Sequence, residues 1–426
     1  MFPALMGPTR RATCTACQFN FPVAAETYRP ELPTRCERCG GLCDVAAAVQ
    51  PGQTADLEPL NLENLDTLGG QHPADGIRRY IRRWDLIAFK EPSSGNTLVK
   101  RVWGLPGEAI ELRGGEAWVE GELLRKSLSE LRQLSVPVYD LQHGGSGQWW
   151  ISNVAEVAKT FDVSTANKTS QPSSLALQPS QFLHYQFCRS APVHPSEVPA
   201  QQWLVASPMV DSYSINQGLS TALHSVDDCL LSLSLDQPLI GSLGIEMRLQ
   251  AHVIRVVLES TDEPTQPLDT NSVNHVDPAS DSGQAVATWR IAGRQSIDVG
   301  WCEGRLLLES DGQSLVVEAG ELELAFSAAS HSVTNSASAD LPWGPHELFR
   351  LGATVPVVIT QLQLSRDLYL APALDASPNR DSDRESPESL SGFYVLGDNL
   401  PGSRDSRQQL GRVSPSQVLG RISIAP

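Results

Sequence analysis

Lys100 is the residue whose type and setting most directly suggest chemistry. It lies within residues 97–103, a run typical of a β-strand, in which residues two apart share a face. Leu98 and Val102 therefore flank Lys100. If that face points inward, desolvation lowers the pKa of the lysine amine and lets it act as a base near neutral pH. The alternative is a lysine on an edge strand, placed to discourage pairing between sheets.

A second chemical signal is a pair of Cys-x-x-Cys motifs with 18 residues between them: Cys14, Cys17, Cys36 and Cys39. Four thiolates at this spacing can meet tetrahedrally on one zinc ion, and the prolines between the motifs suit a short hairpin. We expect a zinc ribbon over residues 14–43, in which the metal is structural because so short a stretch buries little core. Disulfides in an oxidising compartment are the alternative, and the balanced local charge disfavours contact with nucleic acid.

The remaining cysteines have no such spacing. Cys43 is surplus to a four-thiolate site. The later cysteines stand singly, and we expect them to be buried as small hydrophobic residues. They are Cys188, Cys229 and Cys302.

Three segments resemble the conserved boxes of bacterial type I signal peptidases. Residues 100–108, Lys-Arg-Val-Trp-Gly-Leu-Pro-Gly-Glu, resemble the lysine box, and residues 397–407, with Gly-Asp-Asn and then Ser-x-Asp-Ser-Arg, resemble the last box. Residues 84–89 are similar to the strand before the lysine box, with Trp84 where the family usually has glycine. The boxes follow the family's order, and the family tolerates a second domain between them.

The resemblance implies a serine endopeptidase that removes signal peptides from exported preproteins by a Ser/Lys dyad, with no catalytic cofactor. Lys100 would be the general base, and the Ser403 hydroxyl would orient its amine. The preprotein would bind as an extended strand, with small pockets for a signal peptide that ends in small residues such as Ala-x-Ala.

The rest of the last box would build the turn around the lysine. By resemblance, Asp405 and Arg407 would form an ion pair that holds this turn. Asp398 and Asn399 would shape the same turn beneath the lysine.

The family's serine lies in a Ser-Met-x-Pro-Thr-Leu motif upstream of the lysine box. Residues 1–5 read Met-Phe-Pro-Ala-Leu, which matches that motif after its serine except for Ala4 in place of threonine. We expect the nucleophile immediately before Met1 and a membrane anchor further upstream, with Met1 and Pro3 beside the substrate. The chain as printed would then be inactive. A chance match, or true loss of the serine, is the alternative.

Composition limits the remaining possibilities. The 426 residues carry 32 basic and 49 acidic side chains, a net charge of −17, which argues against a nucleic-acid partner. The sequence contains no apolar run of 18 residues or more, so the printed chain is expected to be soluble. The full-length form would lie at the bacterial cell membrane with an extracytoplasmic active site.

The expected fold is mainly β: a coiled peptidase sheet, an N-terminal zinc ribbon and an inserted, jelly-roll-like β-sandwich. Alternation such as that of Leu231, Leu233 and Leu235 with serines predicts the sandwich strands. The expected divisions are a serine-motif remnant (1–13), the ribbon (14–43), a first peptidase-core segment (80–126), an irregular insertion (127–225), the sandwich (226–370), a disordered linker (371–390) and a second peptidase-core segment (391–426).

Two other function classes remain open. A peptidase core that has lost catalysis could bind glycan or protein through its sandwich. A cytoplasmic self-cleaving regulator would share the Ser/Lys chemistry, but it requires a DNA-binding helix pair that the sequence does not show. Ser93 and Ser94, in the turn before the lysine strand, do not match the setting of the family's nucleophile.

Overall fold

The computed structural model describes residues 6–15, 18–36, 41–60, 80–142, 144–145, 148–153, 174–179, 181–190, 204–211, 214–217, 223–249, 252–260, 286–292, 295–311, 313–318, 346–371, 389–407 and 410–423. Over these residues the chain is mainly β, as the sequence predicts. No helix within them is long and apolar enough to cross a bilayer.

The N-terminal segment forms a three-stranded antiparallel sheet in the order β2-β1-β3. Its strands are β1 (Thr9–Cys14), β2 (Asn20–Ala24) and β3 (Cys43–Gln50). Ala12, Phe21 and Val23 are the buried apolar residues at its centre. A core this small cannot offset the entropy of ordering the segment, so the sheet needs other contacts or a metal.

The sheet that carries Lys100 joins residues from both ends of the chain. Its order is β26-β6-β5-β27-β4. The strands are β4 (Asp56–Pro59), β5 (Leu86–Lys90), β6 (Thr97–Gly104), β26 (Tyr394–Leu396) and β27 (Val418–Ser423). One face packs on a cluster that includes Ile87, Val102 and Val395. β26, the strand that leads into the last box, is therefore paired with the strand that carries Lys100.

A hairpin follows the lysine strand. It consists of β7 (Ile110–Arg113), β8 (Glu116–Val119) and β9 (Glu122–Leu123). Gly114 and Gly115 have φ of +60° and +94°, the left-handed values that a two-residue hairpin turn requires. The predicted Gly-Gly turn is confirmed. Helix α1 (Leu128–Leu134) comes next, with Ser127 at its N-cap in a capping box with Glu130.

The inserted region is built from two facing sheets that share one core. The eight-stranded sheet runs β11-β10-β25-β17-β21-β22-β23, and β13 also pairs with β25. Its strands are β10 (Val136–Asp140), β11 (Gly144–Gly145), β13 (Leu175–Leu177), β17 (Cys229–Leu235), β21 (Ser296–Cys302), β22 (Arg305–Ser310), β23 (Gln313–Val317) and β25 (Val357–Arg366).

The six-stranded sheet runs β12-β14-β24-β18-β19-β20. Its strands are β12 (Gln148–Asn153), β14 (Gln181–Gln186), β18 (Ser242–Leu249), β19 (His252–Glu259), β20 (Val286–Ala292) and β24 (Glu347–Ala353). A separate hairpin pairs β15 (Cys188–Ser190) with β16 (Leu204–Ala206). Leu231 and Leu233 of one sheet and Ile245 of the other lie in one buried cluster, as the alternation predicted. The jelly-roll connectivity stays a prediction.

The expected sandwich boundary at residue 226 is wrong. Strands between residues 136 and 186 pair into both sheets, so the region expected to be an irregular insertion supplies some of the sandwich strands. These strands are short and lack the long alternation that marks β17, which is why the sequence did not reveal them. Most of the linker 371–390 lies outside the described residues, but its end enters a 3-10 turn at Ser389–Ser391.

Candidate active site

Lys100 lies on a sheet face that packs on a buried cluster, and its amine contacts Ser403. β6 places Lys100 opposite Ile87 of β5, and Leu98 and Val102 pack with the cluster on that face. The Lys100 Nζ donates to the Ser403 Oγ at 2.8 Å, across 303 positions of sequence. The amine does not face solvent as the lysine of an edge strand would, because it points at a buried serine. β5 pairs with β6 at Lys100, and β26 pairs with β6 from Arg101 onward.

The surroundings of Lys100 change the pKa of its amine. Burial lowers the pKa of Lys100 and is the largest cause of the shift. Asp405 and Asp398 oppose this effect by attraction, whereas Arg407 and Arg404 add to it by repulsion. The net direction is downward, which is the direction that a lysine general base requires.

Gly397 lets the lysine and the serine meet. A Cβ on Gly397 would lie 1.9 Å from the Ser403 Oγ and 3.0 Å from the Lys100 Nζ. No side chain fits at such distances, so glycine is required by close approach. The sequence motif contained this glycine, but its type alone did not reveal what it makes room for.

Asp405 and Arg407 form the predicted ion pair. Asp405 is fully buried, and the Arg407 Nε and Nη2 each donate to its carboxylate at 2.9 Å. Asp405 also accepts the backbone N–H of Gly397 at 3.1 Å, while Arg407 donates to the carbonyls of Leu400 and Ala371. The pair therefore ties together the two sides of the turn that carries Ser403.

Arg101 is a site residue that sequence reasoning missed. Its guanidinium is buried and makes a bidentate contact with Asp398, with Nε and Nη2 at 2.8 and 2.7 Å from the carboxylate. Its Nη1 donates to the carbonyl of Trp84 at 2.8 Å. Asp398 therefore joins the turn to the face of β6 opposite Lys100. The alternation of side chains along the strand could have revealed this residue. Arg101 follows Lys100, so its side chain lies on the opposite face of a strand that is buried on both faces.

A residue of the inserted region binds the side chain of Asn399. Its side-chain amide exchanges two hydrogen bonds with that of Asn216, at 2.7 and 2.8 Å. Its carbonyl accepts the N–H of Gly402 at 3.1 Å, within a 3-10 turn that leads into Ser403. The role of Asn399 in shaping the turn therefore depends on a residue 183 positions away.

The backbone conformation of Trp84 explains why the family usually has glycine at this position. Its φ is +74°, in the left-handed region that glycine adopts readily and bulky residues avoid. Its ring packs edge-on against Trp103 with centroids 4.8 Å apart, and its Nε1 donates to Glu130 at 2.7 Å. These contacts hold the tryptophan in a strained backbone conformation.

The other serines near the lysine strand are engaged elsewhere. Ser93 and Ser94 are exposed in the turn between β5 and β6, and Ser94 donates to the carboxylate of Glu91. In the described part of the chain, Ser403 is the hydroxyl that the Lys100 amine contacts.

The N-terminal segment approaches the site at its first described residue. Met1 and Pro3, expected beside the substrate, lie outside the described residues. Met6 packs against a cluster that includes Leu396 and Leu400, on either side of Gly397 in sequence.

Two of the four expected zinc ligands are described. Cys14 ends β1, Cys36 lies in a later turn, and both are buried. Cys17 and Cys39 lie outside the described residues.

The two cysteine turns are adjacent. The backbone N–H of Thr15 donates to the carbonyl of Leu42 at 3.0 Å, which joins them directly. Cys43 of β3 is paired with Cys14 of β1, so the cysteine expected to be surplus lies beside one of the predicted ligands. The zinc ribbon itself stays a prediction.

The later cysteines are buried, as expected: Cys188, Cys229 and Cys302. Cys302, however, is not surrounded only by apolar groups. It lies 3.9 Å from the Lys126 Nζ, which also contacts Glu303 at 2.6 Å and Asp367 at 2.8 Å. Glu116 of the hairpin is 3.7 Å from the same amine. This buried ionic cluster joins the hairpin to the sandwich.

Comparisons with known proteins agree with this geometry. The family model "Signal peptidase, peptidase S26" matches residues 66–206, a third of the chain that includes Lys100. No curated protein and no solved structure matches the chain. The match covers the lysine strand, and the fold brings the second box to it. Over residues 66–206 the chain is therefore similar to the signal peptidase S26 family.

Proposed function

We propose that the protein is a signal peptidase I-like serine endopeptidase that removes signal peptides from exported preproteins. The observation that carries this proposal is the Lys100–Ser403 hydrogen bond at a desolvated amine. In the proposal Lys100 is the general base, and Ser403 is a positioning residue that directs the amine.

The nucleophile in this proposal is a serine immediately before Met1. Its Oγ attacks the scissile carbonyl while its proton passes to the neutral Lys100 amine. The protonated amine then gives that proton to the departing peptide nitrogen as the C–N bond breaks. In the second half, Lys100 takes a proton from water as the water oxygen attacks the acyl carbonyl. The ester C–O bond then breaks, the serine Oγ takes the proton back from Lys100, and the signal peptide leaves with a free carboxyl group.

The sheet offers a place for an extended substrate. In the described part of the chain, β26 pairs with the C-terminal half of β6, from Arg101 onward. Among the same described residues, the N-terminal half of β6, which ends at Lys100, is open on that side. A signal peptide added there as a strand would lay its backbone beside the lysine amine.

The ribbon supports a structural zinc site. Cys14, Cys17, Cys36 and Cys39 are the proposed ligands, and the metal would stabilise a sheet with a small core. We further propose a membrane anchor upstream of Met1, an extracytoplasmic site and no nucleic-acid partner, in keeping with the net charge of −17.

The test compares the printed chain with a form extended upstream by the segment that includes the serine. A fluorogenic peptide with an Ala-x-Ala site should be cleaved by the extended form only. Lys100→Ala should abolish that cleavage, whereas Lys90→Ala, at the exposed end of the adjacent strand, should preserve it. Cleavage by the printed chain, or labelling of its Ser403 by a serine-directed phosphonate, would place the nucleophile elsewhere.

A second candidate is a binding protein that uses the sandwich. A groove of about 390 Å³ crosses the outer face of the eight-stranded sheet. Polar side chains such as Ser232, Asp298 and Gln363 line it, which suits a polar ligand. Glycan-array binding by the printed chain, lost in Gln363→Ala, together with an inactive extended form, would favour this function.

A further inference from the structure

A short segment links the inserted region to the Lys100–Ser403 contact. It consists of the 3-10 turn Ser214–Asn216 and the following Gln217. It touches both the N-terminal sheet and the turn that carries Ser403. Neither the sequence boxes nor the family match assigns it a role.

On one side, Gln217 binds the N-terminal sheet region. Its side-chain amide is buried, accepts the N–H of Arg29 at 3.1 Å, and donates to the carbonyls of Arg29 and Leu32 at 2.9 and 2.8 Å. Three hydrogen bonds from one buried amide fix the position of that backbone tightly, because breaking any of them leaves a buried polar group unsatisfied.

On the other side, Asn216 binds the catalytic turn. Its amide and that of Asn399 exchange both hydrogen bonds, so each fixes the rotation of the other. Asn399 begins the turn that ends at Ser403, and Ser403 accepts from the Lys100 amine. The adjacent residues Asn216 and Gln217 therefore connect the N-terminal sheet to the Lys100–Ser403 contact.

We propose that Asn216 and Gln217 are positioning residues: they form a bridge through which the N-terminal sheet and the inserted region hold the Ser403 turn against Lys100. This inference rests on the proposed function for its catalytic meaning. The bridge itself is a statement about the environment of the Lys100 amine, so it can be measured without turnover.

The prediction concerns hydration of Lys100. Without the Asn216 amide, the Asn399 turn loses two hydrogen bonds to a partner outside the last box, and water gains access to the amine. Because burial is the main cause that lowers the pKa of Lys100, the pKa should rise toward its ordinary value. We expect the pKa of Lys100 to rise in Asn216→Ala and to rise less in Gln217→Ala.

The measurement is a ¹³C NMR pH titration of the printed chain labelled with [ε-¹³C]lysine. The chain has five lysines, so the Lys100 signal can be assigned with Lys100→Arg. Asn216→Ala and Asn399→Ala should shift the pKa alike, and the double variant should shift it no further than either. Asn96→Ala, in the exposed turn before the same strand, is the matched control.

An unchanged Lys100 pKa in a folded Asn216→Ala protein would overturn the bridge, as would equal shifts in Asn96→Ala. Should Asn216→Ala fail to fold, Asn216→Ser, which removes the paired amide but keeps a polar side chain, provides the same comparison. Because the titration needs no substrate, an inactive extended form with an intact bridge would count against the proposed function alone.

Discussion

Gly397 and Ser403 approach so closely that a single methyl group on the glycine would lie 1.9 Å from the serine oxygen. Gly397→Ala should therefore push Ser403 away from Lys100. In the extended form we expect a loss of peptidase activity of at least about tenfold, since small misplacements of catalytic groups are costly. Gly7→Ala, where a Cβ would meet nothing within 4 Å, should leave the rate unchanged. Equal rates for both variants would show that the Lys100–Ser403 contact is not required.

The Arg101–Asp398 pair should contribute strongly to stability when one partner is removed. Arg101→Met leaves the Asp398 carboxylate without its bidentate partner, and we expect a loss of about 3–5 kcal/mol in the free energy of unfolding by urea. Arg101→Met combined with Asp398→Asn should recover some of that loss. The exposed pair of Arg125 with Glu318 is the control, and Arg125→Ala should have little effect. A single variant as stable as the parent would show that water replaces the pair.

The cluster around Lys126 should make stability depend on pH. Burial raises the pKa of Glu116 to about 8, and that of Asp228 to about 7. These carboxyls bind protons more tightly in the folded than in the unfolded protein. Their contributions to stability are therefore present at low pH and are lost as pH rises, from about 4.5 to about 8 for Glu116 and from about 3.8 to about 7 for Asp228.

Glu116→Gln, which mimics the protonated form, should test this directly. Relative to the parent, the variant should gain stability as pH rises from 6 to about 9. Thermal unfolding over that range measures the difference, with Glu122→Gln, exposed in the same hairpin, as the control. A difference between variant and parent that does not change with pH would mean that Glu116 is already ionised in the folded state at pH 6.

The ribbon should contain about one equivalent of zinc. Metal analysis of the purified protein should give that value, and Cys14→Ser or Cys36→Ser should reduce it to background. Cys188→Ser, in the separate β15–β16 hairpin, should retain the metal. Disulfides found by mass spectrometry among the four motif cysteines would contradict the structural zinc.

The meeting of Lys100 and Ser403 was predicted from a resemblance, because the two motifs are similar to signal-peptidase boxes that form one site. The sequence predicted the Gly-Gly hairpin because only glycine adopts two successive left-handed positions without cost. It did not predict the partners of the motif residues. The Arg101–Asp398 and Asn216–Asn399 contacts join side chains 297 and 183 positions apart, and residue type alone does not select which distant charge or amide will be the partner.

The strand order of the lysine sheet has a consequence during synthesis. Lys100 leaves the ribosome long before Ser403, since 303 positions separate them. At about 5–20 residues per second, the interval is roughly 15–60 s. During this interval β6 has no β26 to pair with, and the Lys100 amine has no Ser403 hydroxyl to contact. Until the last box emerges, the nascent chain therefore lacks the Lys100–Ser403 contact on which the proposed activity depends.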